Sequence, residues 1–127
     1  MIVVDASAAL SGLLNDGPAR RAPTAEAIHV PHLVDYEVLS GLRRLVLAEA
    51  ITAETGWGTL DAWRRVGMTR HPVLVLVERV WRLRESVSAD GASYVALAEV
   101  LGCALVTSDS RLSRTPGLGC PVTVVPR

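Results

Sequence analysis

The stretch ASYVALAEVLGCALVTSD, residues 92–109, predicts a helix that leads directly into a buried strand. Ala92–Leu101 is rich in helix-forming residues, and Gly102 suits the left-handed position that follows a helix end. The apolar run Ala104–Thr107 is typical of a short strand, and Asp109 stands just beyond it. A helix, a glycine and a strand in this order indicate an α/β fold.

The N-terminus shows a strand followed by a helix. Ile2–Val4 is a short β-branched run that ends at Asp5, as expected of a buried parallel strand. A helix is predicted from about Ser7 to a point between Asn15 and Pro18. An acidic residue therefore follows the end of a strand at two places in the chain.

The rest of the chain continues the alternation of strands and helices. The pattern of apolar residues predicts a weak strand at 29–32, helices at 33–49, 52–66 and 74–85, a strand at 68–71 and a last strand at 122–125. We expect one α/β domain over residues 1–127, with a mainly parallel sheet flanked by helices. Such sheets bind ligands outside the carboxyl ends of their strands.

Composition favours one folded domain without a membrane anchor. Half of the 127 residues are apolar, and 13 Lys+Arg balance 13 Asp+Glu, so no overall basic charge attracts nucleic acid. No secretory signal and no run of about 18 uncharged apolar residues is visible, which predicts no membrane association and a cytoplasmic location. Core packing is expected for Trp57, Trp63 and Trp81, with base stacking and a partner groove as the alternatives.

Four acidic residues are candidates for chemistry at the carboxyl edge of the sheet. Asp5 and Asp109 follow strands, although each also suits a helix cap. Glu37 shares the apolar stripe of its helix, where an unpaired glutamate is unusual. Asp90 stands at the start of a helix, and its alternative role is an N-cap. The hydroxyls of Ser7 and Thr107 either hold water at this site or form local caps.

Carboxylates held close together raise one another's pKa and need a neutralising partner. A hard divalent cation, Mg²⁺ or Mn²⁺, meets this need with oxygen ligands and can activate water against a phosphodiester. Other chemistry is poorly supported, because no GxxxxGK[ST] or GxGxxG motif occurs and His29 and His32 lack a third zinc ligand. The pattern therefore favours a metal-dependent nuclease.

Three segments, IVVDASAAL at the start, PHLVDYEVLSGLRR in the long helix and SYVALAEVLGCALVTSDSRL near the end, resemble the VapC toxins of the PIN-domain class. The resemblance extends over essentially the whole chain. It implies a PIN fold with a twisted parallel sheet between helices, and an endoribonuclease that depends on Mg²⁺ or Mn²⁺. It also implies a small VapB-like antitoxin that blocks the site and helps to repress its own operon, and a toxin homodimer.

The family's acidic positions map onto this chain with one departure. The resemblance assigns catalytic roles to Asp5, Glu37 and Asp109 as the first, second and fourth acids. The third acid is usual at the position of Gly91, whereas this chain has Asp90 one place earlier. We expect Asp90 to substitute, so that Asp5, Asp90 and Asp109 bind the metal.

The departure at Gly91 leaves another reading open. The chain is then a catalytically weak or inactive PIN-like module, which binds antitoxin or RNA without cutting. A DNA-directed nuclease of similar architecture is a third interpretation.

Overall fold

Five parallel strands form the centre of the computed structural model, which describes residues 1–15 and 26–127. The strands lie in the order β3-β2-β1-β4-β5. Every pairing among them is parallel, so the sheet predicted as mainly parallel is parallel throughout the described chain. The strands are β1 (Ile2–Val4), β2 (Ile28–Pro31), β3 (Thr69–His71), β4 (Ala104–Thr107) and β5 (Val122–Val124).

Helices cover both faces of the sheet. They are α1 (Ala6–Leu14), α2 (Leu33–Leu47), α3 (Ala53–Arg64), α4 (Val77–Arg82), α5 (Ala89–Leu101) and α6 (Ser110–Ser113). Right-handed crossovers place α1, α2 and α3 on one face and α4 and α5 on the other. The central strands β1, β2 and β4 are therefore largely buried on both sides, and Val3, Val30 and Leu105 have no exposed surface, whereas the edge strands β3 and β5 are more exposed.

Local sequence signals determine several helix ends. The Asp5 side chain caps α1 by accepting a hydrogen bond from the Ala8 N–H at 2.9 Å. Thr52 caps α3 in the same way. Gly102 ends α5 with a φ of 66°, a left-handed conformation that glycine adopts without a steric penalty.

The segment predicted as one helix at 74–85 is different in the structure. A 3₁₀ turn at Leu74–Leu76 comes first, and α4 then ends at Arg82. Only Leu76 and Leu83 of this segment's leucines are buried, whereas Leu74 is 77% exposed. The apolar residues thus lie on more than one face, and the segment does not present the single stripe of a long amphipathic helix.

Smaller differences concern helix ends and tryptophans. Helix α5 begins at Ala89 rather than Ala92. Helix α1 ends at Leu14, and Pro18, the far limit of its predicted end, lies outside the described residues. Core packing is confirmed for Trp63 but is wrong for Trp57 and Trp81, which are mostly exposed. Within residues 1–15 and 26–127, no helix has the length and apolar character needed to cross a membrane.

Candidate active site

The topology brings two acidic residues to the centre of the carboxyl edge. The chain leaves β1 towards β2 on one side, whereas β4 pairs with β1 on the other side. The crevice between the ends of β1 and β4 is therefore the topological switch point, where open α/β sheets bind ligands. Asp5 follows β1 and Asp109 follows β4, so both flank this crevice.

Asp5 is buried and held by three donors. Its Oδ1 accepts from the Ser7 hydroxyl at 2.7 Å and from the Ala8 N–H at 2.9 Å, and its Oδ2 accepts from the Thr107 hydroxyl. Burial raises the pKa of Asp5; the three hydrogen bonds oppose this rise, and the charge of Asp109 adds to it. The Asp5 carboxylate is thus rigidly placed but poorly solvated.

The hydroxyls of Ser7 and Thr107 also join the two loops of the crevice. Ser7 Oγ accepts a hydrogen bond from the Ser108 N–H at 3.1 Å, and Thr107 Oγ1 accepts one from the Asp109 N–H at 3.0 Å. The Thr107 contact is local, as the cap interpretation predicted, whereas the Ser7 hydroxyl contacts a residue that is distant in sequence. Their bonds position Asp5 and the backbone of Asp109 relative to each other.

Glu37 reaches the same site from α2 and contacts α5. The Tyr94 hydroxyl donates to Glu37 Oε1 at 2.5 Å. Burial raises the pKa of Glu37, the Tyr94 hydrogen bond opposes this, and the charges of Asp90 and Asp5 raise it further. Burial and the neighbouring Glu37 carboxylate raise the pKa of Tyr94, so its hydroxyl stays protonated and remains a donor.

Asp90 lies in the first turn of α5, not at the cap. Ser88 occupies the N-cap position, and interaction with its hydroxyl lowers the pKa of Asp90, against the opposing effect of burial. The N-cap alternative for Asp90 is therefore wrong. Asp90 and Glu37 line the same cavity, and the charge of Asp90 contributes to the raised pKa of Glu37.

Asp109 caps the short helix α6, as its alternative role predicted. Its Oδ1 accepts the Arg111 N–H at 2.9 Å, and the Arg111 guanidinium pairs with both of its oxygens. Hydrogen bonding from Arg111 lowers the pKa of Asp109, and the charge of Arg127 contributes in the same direction. Asp109 is thus ionised and already paired.

All four candidate acids line one cavity of about 480 Å³. Arg111 and Arg127 line it as well, and so do Ser7, Tyr94 and Gly91. A larger cavity of about 560 Å³ lies between α1, α3 and the sheet, but Glu26 is the sole acid among its lining residues. The sequence-predicted site therefore coincides with a single polar cavity at the carboxyl edge of the sheet.

The carboxylates that line this cavity are suitable ligands for a hard divalent cation. Carboxylate oxygens are the ligands that Mg²⁺ and Mn²⁺ prefer, and neighbouring carboxylates contribute to the raised pKa of Asp5 and of Glu37. In their present positions, however, no three acidic, histidine or cysteine side chains of the described residues can hold one ion together. Asp109 in particular is engaged by Arg111, so coordination by several of these acids requires side-chain movement.

The sequence predicted no role at the site for two residues that line it, Tyr94 and Arg111. The spacing of Asp90 and Tyr94, four residues apart on one helix, signals that they share a face. The short spacing between Asp109 and Arg111 likewise permits the observed pairing.

Comparisons with known proteins agree on one family. The family model described as PIN domain matches residues 2–118. The chain is 60% identical to Ribonuclease VapC9 of Mycobacterium tuberculosis over 127 residues, which is 100% of both chains. It is 41% identical to Ribonuclease VapC1 of the same species, covering 97% of this chain and 96% of the relative.

Solved structures share the fold at much lower identity. VapC20 of Mycobacterium tuberculosis, described as a toxin that cleaves the sarcin–ricin loop, matches with a TM-score of 0.67 and 17% identity, covering 95% of this chain and 99% of that one. VapBC2 of Rickettsia felis, bound to a DNA fragment from their promoter, matches with a TM-score of 0.66 and 13% identity, covering 97% and 98%.

Proposed function

The chain belongs to the PIN-domain family, and from this we propose that it is the endoribonuclease toxin of a VapBC toxin–antitoxin module. Full-length identity of 60% to a VapC ribonuclease supports the toxin class. The observation that carries the proposal is the convergence of Asp5, Glu37, Asp90 and Asp109 on one cavity at the switch point of the sheet.

Each residue of the site has its own proposed role in the reaction. Asp5, Asp90 and Asp109 would hold Mg²⁺ or Mn²⁺, which when bound supplies Lewis-acid activation of water and of the phosphodiester. Ser7 and Thr107 orient Asp5 through their hydroxyls. Glu37, oriented by the Tyr94 hydroxyl, would act as a proton acceptor, and burial raises its pKa.

The test is RNA cleavage by the purified chain. We expect cleavage with Mn²⁺ or Mg²⁺, complete loss after treatment with EDTA, and recovery when the cation is added in excess. Cleavage by the chain that survives EDTA would indicate a metal-independent nuclease and would count against the proposal. Cleavage of single-stranded DNA at an equal rate would favour the DNA-directed interpretation instead.

The noncatalytic alternative rests on Gly91. The noncatalytic alternative is favoured only if Asp90 cannot replace the missing acid. Asp90 lines the same cavity as the other three acids, and this favours the enzyme. A chain that binds RNA tightly in Mn²⁺ but never cleaves it would support the binding module.

We propose that a VapB-like antitoxin occupies the groove between α2 and α3. This groove has a volume of about 290 Å³, and Leu39, Leu47 and Trp57 on it are between 49% and 65% exposed. Large apolar side chains exposed together mark surfaces that a protein partner covers. The antitoxin would thereby keep the toxin inactive in the cytoplasm, where its RNA substrate is found.

A homodimer would use a different face. Leu74, Val75 and Trp81, on the 3₁₀ turn and α4, are 68% to 77% exposed and lie outside the α2–α3 groove. We assign this apolar face to a second copy of the chain. The two surfaces then serve two partners.

Trp57 lies on the proposed antitoxin groove and Trp81 on the proposed dimer face, so a substitution of each residue serves as the control for the other. Co-expression with the adjacent upstream gene should yield a complex, and Trp57→Ala should weaken it by about tenfold or more, as expected for a central aromatic anchor. Trp81→Ala should leave the complex intact but shift the toxin towards a monomer in light scattering. Equal effects of both substitutions on antitoxin binding would contradict the assignment of the groove.

A further inference from the structure

Arg111 forms an ion pair inside the candidate active site for which the proposed reaction gives no role. Its Nε lies 3.0 Å from Oδ1 and 3.3 Å from Oδ2 of Asp109, and its Nη2 lies 2.9 Å from Oδ2. The backbone N–H of Arg111 donates to Oδ1 as well. One residue therefore engages both oxygens of a carboxylate that the proposed reaction assigns to a metal ion.

The ion pair between Arg111 and Asp109 is exposed, so breaking it costs little free energy. The Arg111 side chain is 81% exposed, while that of Asp109 is 25% exposed. Exposed ion pairs contribute roughly 0–1 kcal/mol, because water and salt screen them. A divalent cation carries twice the charge of a guanidinium and can therefore displace Arg111. The backbone hydrogen bond from Arg111 does not depend on its side chain, so the cap of α6 is retained.

The charge balance of the cavity gives the displaced guanidinium a second partner. Four carboxylates line the cavity against the two guanidiniums of Arg111 and Arg127, so the acids outnumber the cations by two. A phosphodiester entering this cavity is repelled unless cations face it. Arginine binds phosphate oxygens in a planar, bidentate manner, as it binds the carboxylate of Asp109 here.

We propose that Arg111 is an internal counter-ion that exchanges partners, holding Asp109 while the site lacks a cation and binding an RNA phosphate once a cation takes Asp109. The inference rests on the proposed function and adds a substrate-binding role for Arg111. It also accounts for the present arrangement, in which Asp109 points to an arginine rather than joining the other acids around one ion.

Arg114 offers a matched control. It follows the same short helix and is exposed like Arg111, but it is not among the residues that line the cavity. Arg114→Gln removes the same charge from the same element without removing the ion pair.

The first measurement is Mn²⁺ binding to the full chain without RNA, by isothermal titration calorimetry. Removing the competitor in Arg111→Gln should tighten Mn²⁺ binding by about threefold, which corresponds to an exposed ion pair. Arg111→Lys, which keeps the charge but not the bidentate contact, should give an affinity between those of wild type and Arg111→Gln. Arg114→Gln should bind Mn²⁺ like the wild type.

The second measurement is the steady-state kinetics of RNA cleavage at saturating Mn²⁺. Arg111→Gln should raise KM for RNA at least threefold with a smaller change in kcat, and Arg111→Lys should recover part of the loss in KM. Unchanged or weaker Mn²⁺ binding in Arg111→Gln overturns the inference, and so does an equal effect of Arg114→Gln. Absence of Mn²⁺ binding in the wild type would instead overturn the proposed function, so the two failures are distinguishable.

Discussion

At the scale of single residues, Asp90 shows that a one-place shift along a helix can leave a carboxylate in the same cavity. Neighbouring helical residues differ by about 100° in direction. Asp90 nevertheless lines the cavity that the other three acids line. A side chain at Gly91 is crowded, because an added Cβ would lie 3.0 Å from Val87 Cγ1 and 3.3 Å from Ser88 Oγ. The position usual in the family is thus the tighter one here.

Substitutions at Asp90 and at Gly91 test which of these two positions contributes a metal ligand. If Asp90 is a metal ligand, Asp90→Asn should weaken Mn²⁺ binding and reduce RNA cleavage by at least tenfold, about 1.4 kcal/mol in the barrier. Gly91→Asp should bring little or no gain, because its side chain meets Val87 and Ser88. Full activity in Asp90→Asn together with increased activity in Gly91→Asp would refute the role of Asp90.

The site residues that could be predicted from the sequence depend on local order in the chain, whereas the others depend on how helices pack. Asp5 and Asp109 could be predicted because each directly follows a strand, and strand ends meet at one edge of a parallel sheet. The contact between Tyr94 and Glu37 joins two helices, and its geometry depends on how those helices pack. Asp35 accepts hydrogen bonds from Arg70 and from Trp63 Nε1, and both partners are again distant in sequence.

At the scale of secondary-structure elements, the same contrast holds. Strand β4 was predicted with its observed bounds, because a glycine and a polar segment enclose a short apolar run. The segment at 74–85 was predicted as one helix and is a 3₁₀ turn followed by α4, because burial against α5 selects Leu76 and Leu83. The local sequence pattern was therefore enough to predict an element whose ends are marked in the sequence. Where the ends are not marked, tertiary packing determines which residues become helical.

The position of α4 on α5 is fixed by a cluster of polar contacts. Arg79 donates to both carboxylate oxygens of Glu99 at 2.6 and 2.9 Å, and also to the Gly117 carbonyl. Glu99 accepts the Gly119 N–H as well. The cluster thereby joins α4, α5 and the segment that leads into β5.

This cluster predicts a pH-dependent contribution to stability. The Arg79 hydrogen bond lowers the pKa of Glu99 below its ordinary value of 4.5. The stabilisation is therefore complete above about pH 4.5 and is lost as the pH falls through the lower pKa of the folded chain. At pH 7, Glu99→Gln should reduce the free energy of unfolding by about 1 kcal/mol and the Tm by about 4 °C.

Thermal melts between pH 3 and pH 7 check this prediction. The difference between wild type and Glu99→Gln should shrink as the pH falls below 4.5. Glu78→Gln is the control, because Glu78 pairs with Arg82 in an ion pair whose two side chains are 78% and 67% exposed. A Tm difference for Glu99→Gln that is constant with pH, or no larger than that of Glu78→Gln, would refute the stabilising role of the ionised cluster.

At the scale of the whole molecule, the buried Asp5 carboxylate of the site reduces the stability of the fold. Asp5 is buried at the switch point with a raised pKa, so its ionised form is disfavoured in the cation-free chain. A carboxylate with a purely structural role would stabilise the fold, whereas a carboxylate with a catalytic role contributes to activity at the expense of stability. Asparagine at this position separates the two cases, since it retains an acceptor for the Ala8 N–H that caps α1.

The most direct test of the account is therefore a paired measurement on Asp5→Asn, with Mn²⁺-dependent RNA cleavage and thermal unfolding in EDTA determined on the same preparation. We expect cleavage to fall at least tenfold, about 1.4 kcal/mol in the barrier. We expect the Tm in EDTA to be no lower than that of the wild type, because the substitution removes a buried charge and keeps the cap. Undiminished cleavage, or a clear loss of Tm in the absence of metal, would contradict the assignment of this edge of the sheet as a metal-dependent ribonuclease site.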